Sequence, residues 1–219
     1  MHHHERPVPA AEPEPGVAPE QYWNTHYGQR DQVWSGRPNP VLVREAGRLT
    51  PSTALDLGCG EGADAIWLAE QGWRVTAVDV STTALERARR AAAAAGVDDR
   101  IEWLQADLVA AFPAGEFGLV SAQFLQSPIE LDRDRILRGA RDAVAPGGHL
   151  LVVSHAAFPP WHEPPAGVVL PPATEVLASL GLPTGDWIVE IVADEKRVVA
   201  APDGSDAELE DSVVQVRRA

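Results

Sequence analysis

The run Leu55-Asp56-Leu57-Gly58-Cys59-Gly60-Glu61-Gly62 holds the residues of this chain best suited to chemistry. Glycines between a strand and a helix let the backbone approach a ligand closely and aim helix N–H groups at it. Alone the pattern is ambiguous, because Gly58-x-Gly60-x-x-Ala63 also satisfies a relaxed dinucleotide fingerprint. Asp79, about twenty residues on, suits a ribose-hydroxyl acceptor in either reading. Other carboxylates separate the readings. Asp56 precedes the first glycine by two residues, where it would repel a pyrophosphate but suit an ammonium group. Asp107, in Ala106-Asp107-Leu108, follows a strand at the edge where open α/β sheets bind ligands, and suits an amine or base-edge donor. Acidic groups on all sides of one crevice favour a cationic ligand without phosphates.

These residues need alternating strands and helices to hold them. Residues 54–57 form a short apolar run, and 63–71 carry Ile66, Trp67 and Ala69 at helical spacing up to Gly72. A β-rich run follows at 74–78. Ser81 is a fair N-cap for an Ala-rich helix at 82–95, which Gly96 stops. Strands are expected at 101–105 and 119–123, an amphipathic helix at 132–144, a turn at Pro146-Gly147-Gly148, and a doubly buried strand at 149–154. Strands separated by helices argue for parallel, right-handed βαβ units. The end of the chain differs: a short helix at 174–180 precedes strands at 187–193 and 211–217, joined through Pro202-Asp203-Gly204. That reads as an antiparallel hairpin on the sheet edge.

The 219 residues favour one domain with a large core. Residues 1–20, with five prolines, read as a disordered tail whose His2-His3-His4 run is solvated. Within a single domain at 21–219 we expect an aromatic N-terminal cap at 21–50, a ligand-binding core at 54–155, an acceptor-side loop at 156–172 and a C-terminal helix and hairpin at 173–219. Acidic residues outnumber basic ones 32 to 18, a net charge of −14. A nucleic-acid partner needs clustered Lys and Arg, so none is expected. A single cysteine, Cys59, excludes an internal disulfide and any multi-cysteine metal site. No apolar stretch is long enough for a membrane span or a signal core. The expected protein is cytoplasmic, a monomer or homodimer, and binds neither membrane nor metal.

Taken together, Asp56-x-Gly58-x-Gly60-x-Gly62, Val78-Asp79-Val80, Ala106-Asp107-Leu108 and Pro146-Gly147-Gly148 resemble the class I S-adenosylmethionine-dependent methyltransferases. The likeness covers residues 54–154. Upstream, Tyr22-Trp23-Asn24-x-x-Tyr27 with Trp34 and Pro38-Asn39-Pro40 is similar to the cap of small bacterial members of the tellurite-resistance and thiopurine types. The resemblance implies a Rossmann-like, doubly wound, mostly parallel seven-stranded sheet with an antiparallel C-terminal hairpin. It also implies S-adenosylmethionine as methyl donor and a small-molecule acceptor. By this likeness Gly58, Cys59 and Gly60 line the methionine portion and Asp56 takes its ammonium. Asp79 binds the ribose, Val80 packs on adenine, and Asp107, between Ala106 and Leu108, accepts from the adenine amino group. Trp23, Tyr27, Trp34 and Arg37 close the cap, and Gln123 ends the fourth strand beside the cofactor. One departure stands out: relatives usually carry Asp where this chain has Gly118, so the start of the fourth strand is expected to shift.

Cys59 has acidic neighbours and reads as packing beneath the turn rather than as a nucleophile. His155, at the end of the fifth strand, is the best-placed base, and a structural histidine is the alternative reading. His162 could line the same pocket, but with His155 it lacks a third ligand for a metal. Displacement at a sulfonium methyl has an excellent leaving group, so alignment is the protein's main task. A base is needed only where the acceptor is protonated at neutral pH. With no compelling base besides His155, the sequence leans toward a thiol-like or metalloid acceptor. A cofactor-binding protein without transfer activity and a nicotinamide-dependent oxidoreductase are the competing readings.

Overall fold

A computed structural model of the chain describes residues 16–161 and 169–219. Five parallel strands, β1 (Thr53–Leu57), β2 (Arg74–Asp79), β3 (Ile101–Gln105), β4 (Phe117–Gln123) and β5 (Val144–His155), form most of one sheet. The last two, β6 (Trp187–Ala200) and β7 (Asp206–Arg218), complete it in the order β3-β2-β1-β4-β5-β7-β6, with β7 antiparallel to both neighbours. Order reverses between β1 and β4, the switch point at which such sheets bind ligands.

Alternate residues of each strand enter opposite cores. On one face Ala54, Ala77, Leu119 and Val153 pack with Leu42 of α2 (Pro40–Ala46), Leu68 of α3 (Ala63–Glu70) and Ala92 of α4 (Thr82–Ala95). On the other, Leu55, Val78, Val120 and Val152 meet Ile136 and Leu137 of α5 (Arg133–Asp142) and Val176 of α6 (Ala173–Ser179). Burial on both faces explains why these strands read as continuous apolar runs. Helix starts are satisfied locally: Ser81 accepts from Ala84 N, Asn39 from Val41 N and Asp132 from Arg135 N. Such caps contribute about 1 kcal/mol each.

The chain differs from its expected elements in three places. Helix α1 (Pro19–Gly28) begins with a proline, whose fixed φ suits the first turn, inside the segment assigned to the tail. Residues 1–15, with the His2-His3-His4 run, lie outside the described residues, as does His162. The Pro146-Gly147-Gly148 turn is a bulge within β5 rather than a separate connection. Pairing there jumps from Phe117↔Val144 to Leu119↔His149. Gly148 is required, since a Cβ would lie 2.8, 2.9 and 3.0 Å from the carbonyl oxygens of Phe117, Ala145 and Gly118. The shift expected at Gly118 thus falls where β4 meets this bulge. The hairpin strands are also far longer than 187–193 and 211–217. On β6 the extra residues are charged at 194–197 and apolar at 198–200, and they pair across the hairpin, where Lys196 and Glu208 meet at 3.1 Å.

Candidate active site

The glycine turn is bent by its own backbone. Gly58 N and Cys59 N donate to Val78 O at 2.8 and 3.0 Å, tying the turn to the end of β2. Gly58 and Gly60 adopt φ of +70° and +53°, left-handed values that favour glycine. Space excludes larger residues as well. A Cβ at Gly58 would lie 2.6 Å from Leu125 Cδ1, and one at Gly60 would lie 2.9 Å from the Tyr27 hydroxyl. The turn is therefore approached by Leu125 from one side and by the N-terminal cap from the other.

Asp79 closes β2 and is nearly buried. Its Oδ2 accepts from Gly60 N at 2.9 Å and its Oδ1 from Ser81 N at 2.8 Å. Burial raises its pKa, opposed by the backbone donors of Ser81, Gly60 and Val80. Asp56, 2% exposed, has a buried Oδ2 that no hydrogen-bond donor reaches. Desolvation holds its carboxyl well above the usual range, and the Asp64 and Asp79 charges add to that. An orphaned buried carboxylate oxygen costs free energy until a donor or cation reaches it. Burial likewise pushes the Cys59 thiol up, with Asp79 and Asp56 adding to the shift, so it is no thiolate nucleophile. Asp107 folds its own loop, accepting from Val109 N at 2.9 Å. Ala106 N donates to Asp79 O at 3.1 Å, which brings the β2 and β3 ends together. Val80 is half-buried beside them and Leu108 is buried.

The cap lies on this turn. Trp34 Nε1 donates to Tyr27 Oη at 3.0 Å directly over Gly60, although the Trp34 side chain remains largely exposed. Burial, with Asp79 next, raises the Tyr27 pKa beyond any physiological titration. Trp23 belongs to the aromatic cluster of α1, 5.4 Å from Tyr22 and 6.0 Å from Tyr27 between ring centres. Arg37 does not join the group. It is exposed, and its side chain makes no hydrogen bond or ion pair among the described residues.

Four connections escaped the sequence reading. Glu61, within the turn, accepts from Val33 N at 3.0 Å and Trp34 N at 2.9 Å and pairs with Arg87 at 2.8 Å. Arg87 in turn donates to the carbonyls of Tyr27 and Arg30 at 2.7 and 2.6 Å. Asn24 Oδ1 accepts from Ser81 Oγ and Thr83 N at 2.8 and 3.1 Å, pinning α1 to the start of α4. The last lies across the crevice at the ends of β4 and β5. Gln123 has an unsatisfied buried Oε1 while its Nε2 donates to Ser121 Oγ at 2.9 Å. Beyond it, His155 Nδ1 lies 3.0 Å from Asp211 Oδ1, and Arg197 Nε donates to Asp211 Oδ2 at 2.5 Å. Apart from the Gln123–Ser121 contact, these partners are distant in sequence, so no local pattern could have announced them.

A cavity of about 540 Å³ lined by Arg74, Arg100 and Glu102 opens at the opposite, amino-terminal strand edge, away from every residue just described. Among the described residues no group of three His, Cys, Asp or Glu could hold a metal, and no helix is long and apolar enough to cross a membrane.

Residues 54–148 match the family model described as a methyltransferase domain. The chain is 33% identical over 180 residues to the 2-heptyl-1-hydroxyquinolin-4(1H)-one methyltransferase of Mycobacteroides abscessus, covering 78% of this chain and 74% of that protein. This chain belongs to the class I S-adenosylmethionine-dependent methyltransferases. The methyltransferase is also 30% identical over 216 residues to the 27-O-demethylrifamycin SV methyltransferase of Amycolatopsis mediterranei, covering 91% and 73%. Its fold matches the crystal structure of TehB from Haemophilus influenzae with a TM-score of 0.68 at 17% identity, over 91% of this chain and 67% of that one. S-adenosylmethionine suits the residues present: the orphaned, buried Asp56 oxygen beside the glycine turn calls for a cation or donor.

Proposed function

We propose that the methyltransferase methylates a hydroxyl oxygen of a small organic molecule, with His155 as general base. The observation that carries this reading is the His155–Asp211 pair. With Nδ1 engaged at 3.0 Å and the side chain 42% exposed, Nε2 is free to take a proton from an acceptor. That replaces the leaning toward an acceptor needing no base, which rested on the absence of a compelling one. The hydroxyquinolinone and 27-O-demethylrifamycin named for the two relatives support an oxygen acceptor.

Bound S-adenosylmethionine supplies a methyl group on a cationic sulfur, which leaves as neutral thioether. In our reading Asp56 takes its ammonium, and Gly58, Cys59 and Gly60 present backbone to its methionine portion. Asp79 has lone pairs left beyond its backbone donors for the ribose hydroxyls. Val80 and Leu108 flank the adenine, with Asp107 and the Ala106 backbone at its amino edge, while Gln123 borders the methyl group. Trp23, Tyr27 and Trp34 exclude water from above, where stacking near a sulfonium is favourable.

The test supplies methyl-labelled S-adenosylmethionine with 2-heptyl-1-hydroxyquinolin-4(1H)-one, a panel of phenols, dithiothreitol and tellurite. Label on hydroxyl oxygen supports the proposal. Label on the thiol or metalloid alone overturns it.

A further inference from the structure

We propose that Asp211 and Arg197, both carried by the C-terminal hairpin, are positioning residues that hold the His155 ring with Nδ1 protonated and Nε2 turned to the acceptor. The inference rests on the oxygen-methylation reading above and adds two residues that no motif contains.

Strand register starts the argument. His155 is the last residue of β5 and lies directly across from Asp211 of β7, which faces Glu195 of β6. Past this row β6 and β7 continue as a two-stranded arm, from Lys196↔Glu210 to Ala200↔Asp206, with no further partner in β5. The parallel strands end at the crevice, so the arm overhangs its acceptor side. Arg197 is the second residue of that overhang, on the same sheet face as Asp211 and His155.

His155 is held at its backbone and on one face of its ring. Its backbone N donates to Gln126 Oε1 at 2.8 Å, and its carbonyl accepts from Gln126 Nε2 at 3.3 Å. Its ring stacks on Phe124, 4.4 Å between centres, and Arg197 lies 5.7 Å over the same Phe124 ring. Phe124 has φ of +54°, a left-handed backbone that a bulky residue rarely adopts, and its N donates to Val153 O at 2.7 Å. Strained backbone of this kind clusters at functional sites.

The carboxylate is fixed in turn. Asp211 is 4% exposed; burial would raise its pKa, but hydrogen bonds from His155 and Arg197 leave it lowered. An ionised carboxylate only accepts, so His155 Nδ1 must carry the hydrogen, which leaves Nε2 as the nitrogen that presents a lone pair when the ring acts as base. Other charges nearby are already matched. Glu195 is held by Arg44 at 2.8 and 2.9 Å, and Arg133 of α5 is spent on Leu125 O and Ser154 Oγ. In transfer, the acceptor oxygen bonds to the methyl carbon as the carbon–sulfur bond breaks and its electron pair stays on sulfur. The hydroxyl proton passes to His155 Nε2 and from there to solvent, and Asp211 stays ionised throughout.

A merely structural Arg–Asp–His cluster would fasten the arm without bearing on turnover, so the test reads the imidazole and the rate together. Long-range ¹H–¹⁵N spectra of the full chain with S-adenosylhomocysteine, assigned through His155→Gln, report the His155 tautomer. We expect the Nδ1–H form. Its population should fall in Asp211→Asn, whose amide can donate to Nδ1 as well as accept from it. On a hydroxyl acceptor from the panel, kcat should fall about tenfold or more in Asp211→Asn and less in Arg197→Gln, while KM and S-adenosylhomocysteine affinity stay unchanged. An Nε2–H tautomer in wild type, or a kcat indifferent to both substitutions, overturns the inference. Should Asp211→Asn not fold, the wild-type tautomer and the kcat of Arg197→Gln decide. Hydroxyl methylation with the wrong tautomer sinks only this inference, whereas thiol-only methylation sinks the reading beneath it.

Discussion

Replacing Asp79 separates what this carboxylate does for the fold from what it does for the cofactor. In Asp79→Ala the N–H groups of Gly60 and Ser81, now bonded at 2.9 and 2.8 Å, lose their acceptor in a buried setting. An unsatisfied buried donor costs about 1–3 kcal/mol, so the pair costs about 2–6 kcal/mol of stability without cofactor. On the proposed ribose role, loss of this charged partner should cost a further ~1.5–3 kcal/mol of affinity. That is roughly a 10- to 200-fold weaker Kd. Asp79→Asn keeps one acceptor oxygen and should lose less stability but a similar share of affinity, because its amide turns a donor toward the other N–H. Thermal unfolding of the cofactor-free variants gives the first quantity, and calorimetric titration with S-adenosylhomocysteine well below the unfolding range gives the second. A folded Asp79→Ala protein that binds S-adenosylhomocysteine with wild-type affinity refutes the reasoning.

The Asp56 carboxyl is held well above its usual range, so binding an ammonium beside it should release a proton. Titrations at a series of pH values in buffers of different ionisation enthalpy should show that release in wild type and less in Asp56→Asn. Asp64 is raised to about 6, chiefly by burial and partly offset by the Asn39 N–H. A carboxyl raised on folding stabilises most below its unfolded value, about 3.9, and that stability fades as pH climbs through the folded value. The cofactor-free protein should therefore lose stability between about pH 4 and 6, and Asp64→Asn should flatten this slope; equal slopes for both proteins would count against it. Arg87→Ala leaves Glu61, 10% exposed, without its cation and should cost about 3–5 kcal/mol while loosening the cap. Unchanged stability and unchanged proteolysis near Arg30 would show the latch to be idle. Gly148→Ala drives a methyl group against three carbonyl oxygens at the β5 bulge and should cost about 1–3 kcal/mol in thermal unfolding.

How much could be read beforehand depended on range along the chain. The βαβ alternation was legible because strands buried on both faces need unbroken apolar runs and their helices need caps such as Ser81. The acidic positions Asp56, Asp79 and Asp107 were legible because each sits at a strand end, a place that sequence marks. The hairpin's true length was not. Residues 194–200 and 206–210 show no clean period, and cross-strand pairing with each other extends them past β5. His155 was visible as a strand end, but its partner Asp211 is brought opposite only by the β5–β7 register. Glu61 looked like a filler between glycines until Arg87 and the Val33 and Trp34 amides closed on it. Arg37, expected in the cap, stays in solvent because the interaction that ties this segment down passes through backbone amides rather than its guanidinium.

The central claim is that the acidic crevice built by Asp56, the glycine turn and Asp79 holds a cationic, phosphate-free cofactor. Calorimetric titration of the wild-type chain with S-adenosylhomocysteine and, separately, with NADH tests it most directly. The account predicts saturable binding of one S-adenosylhomocysteine per chain and no binding of NADH. Saturable NADH binding with no response to S-adenosylhomocysteine would contradict it.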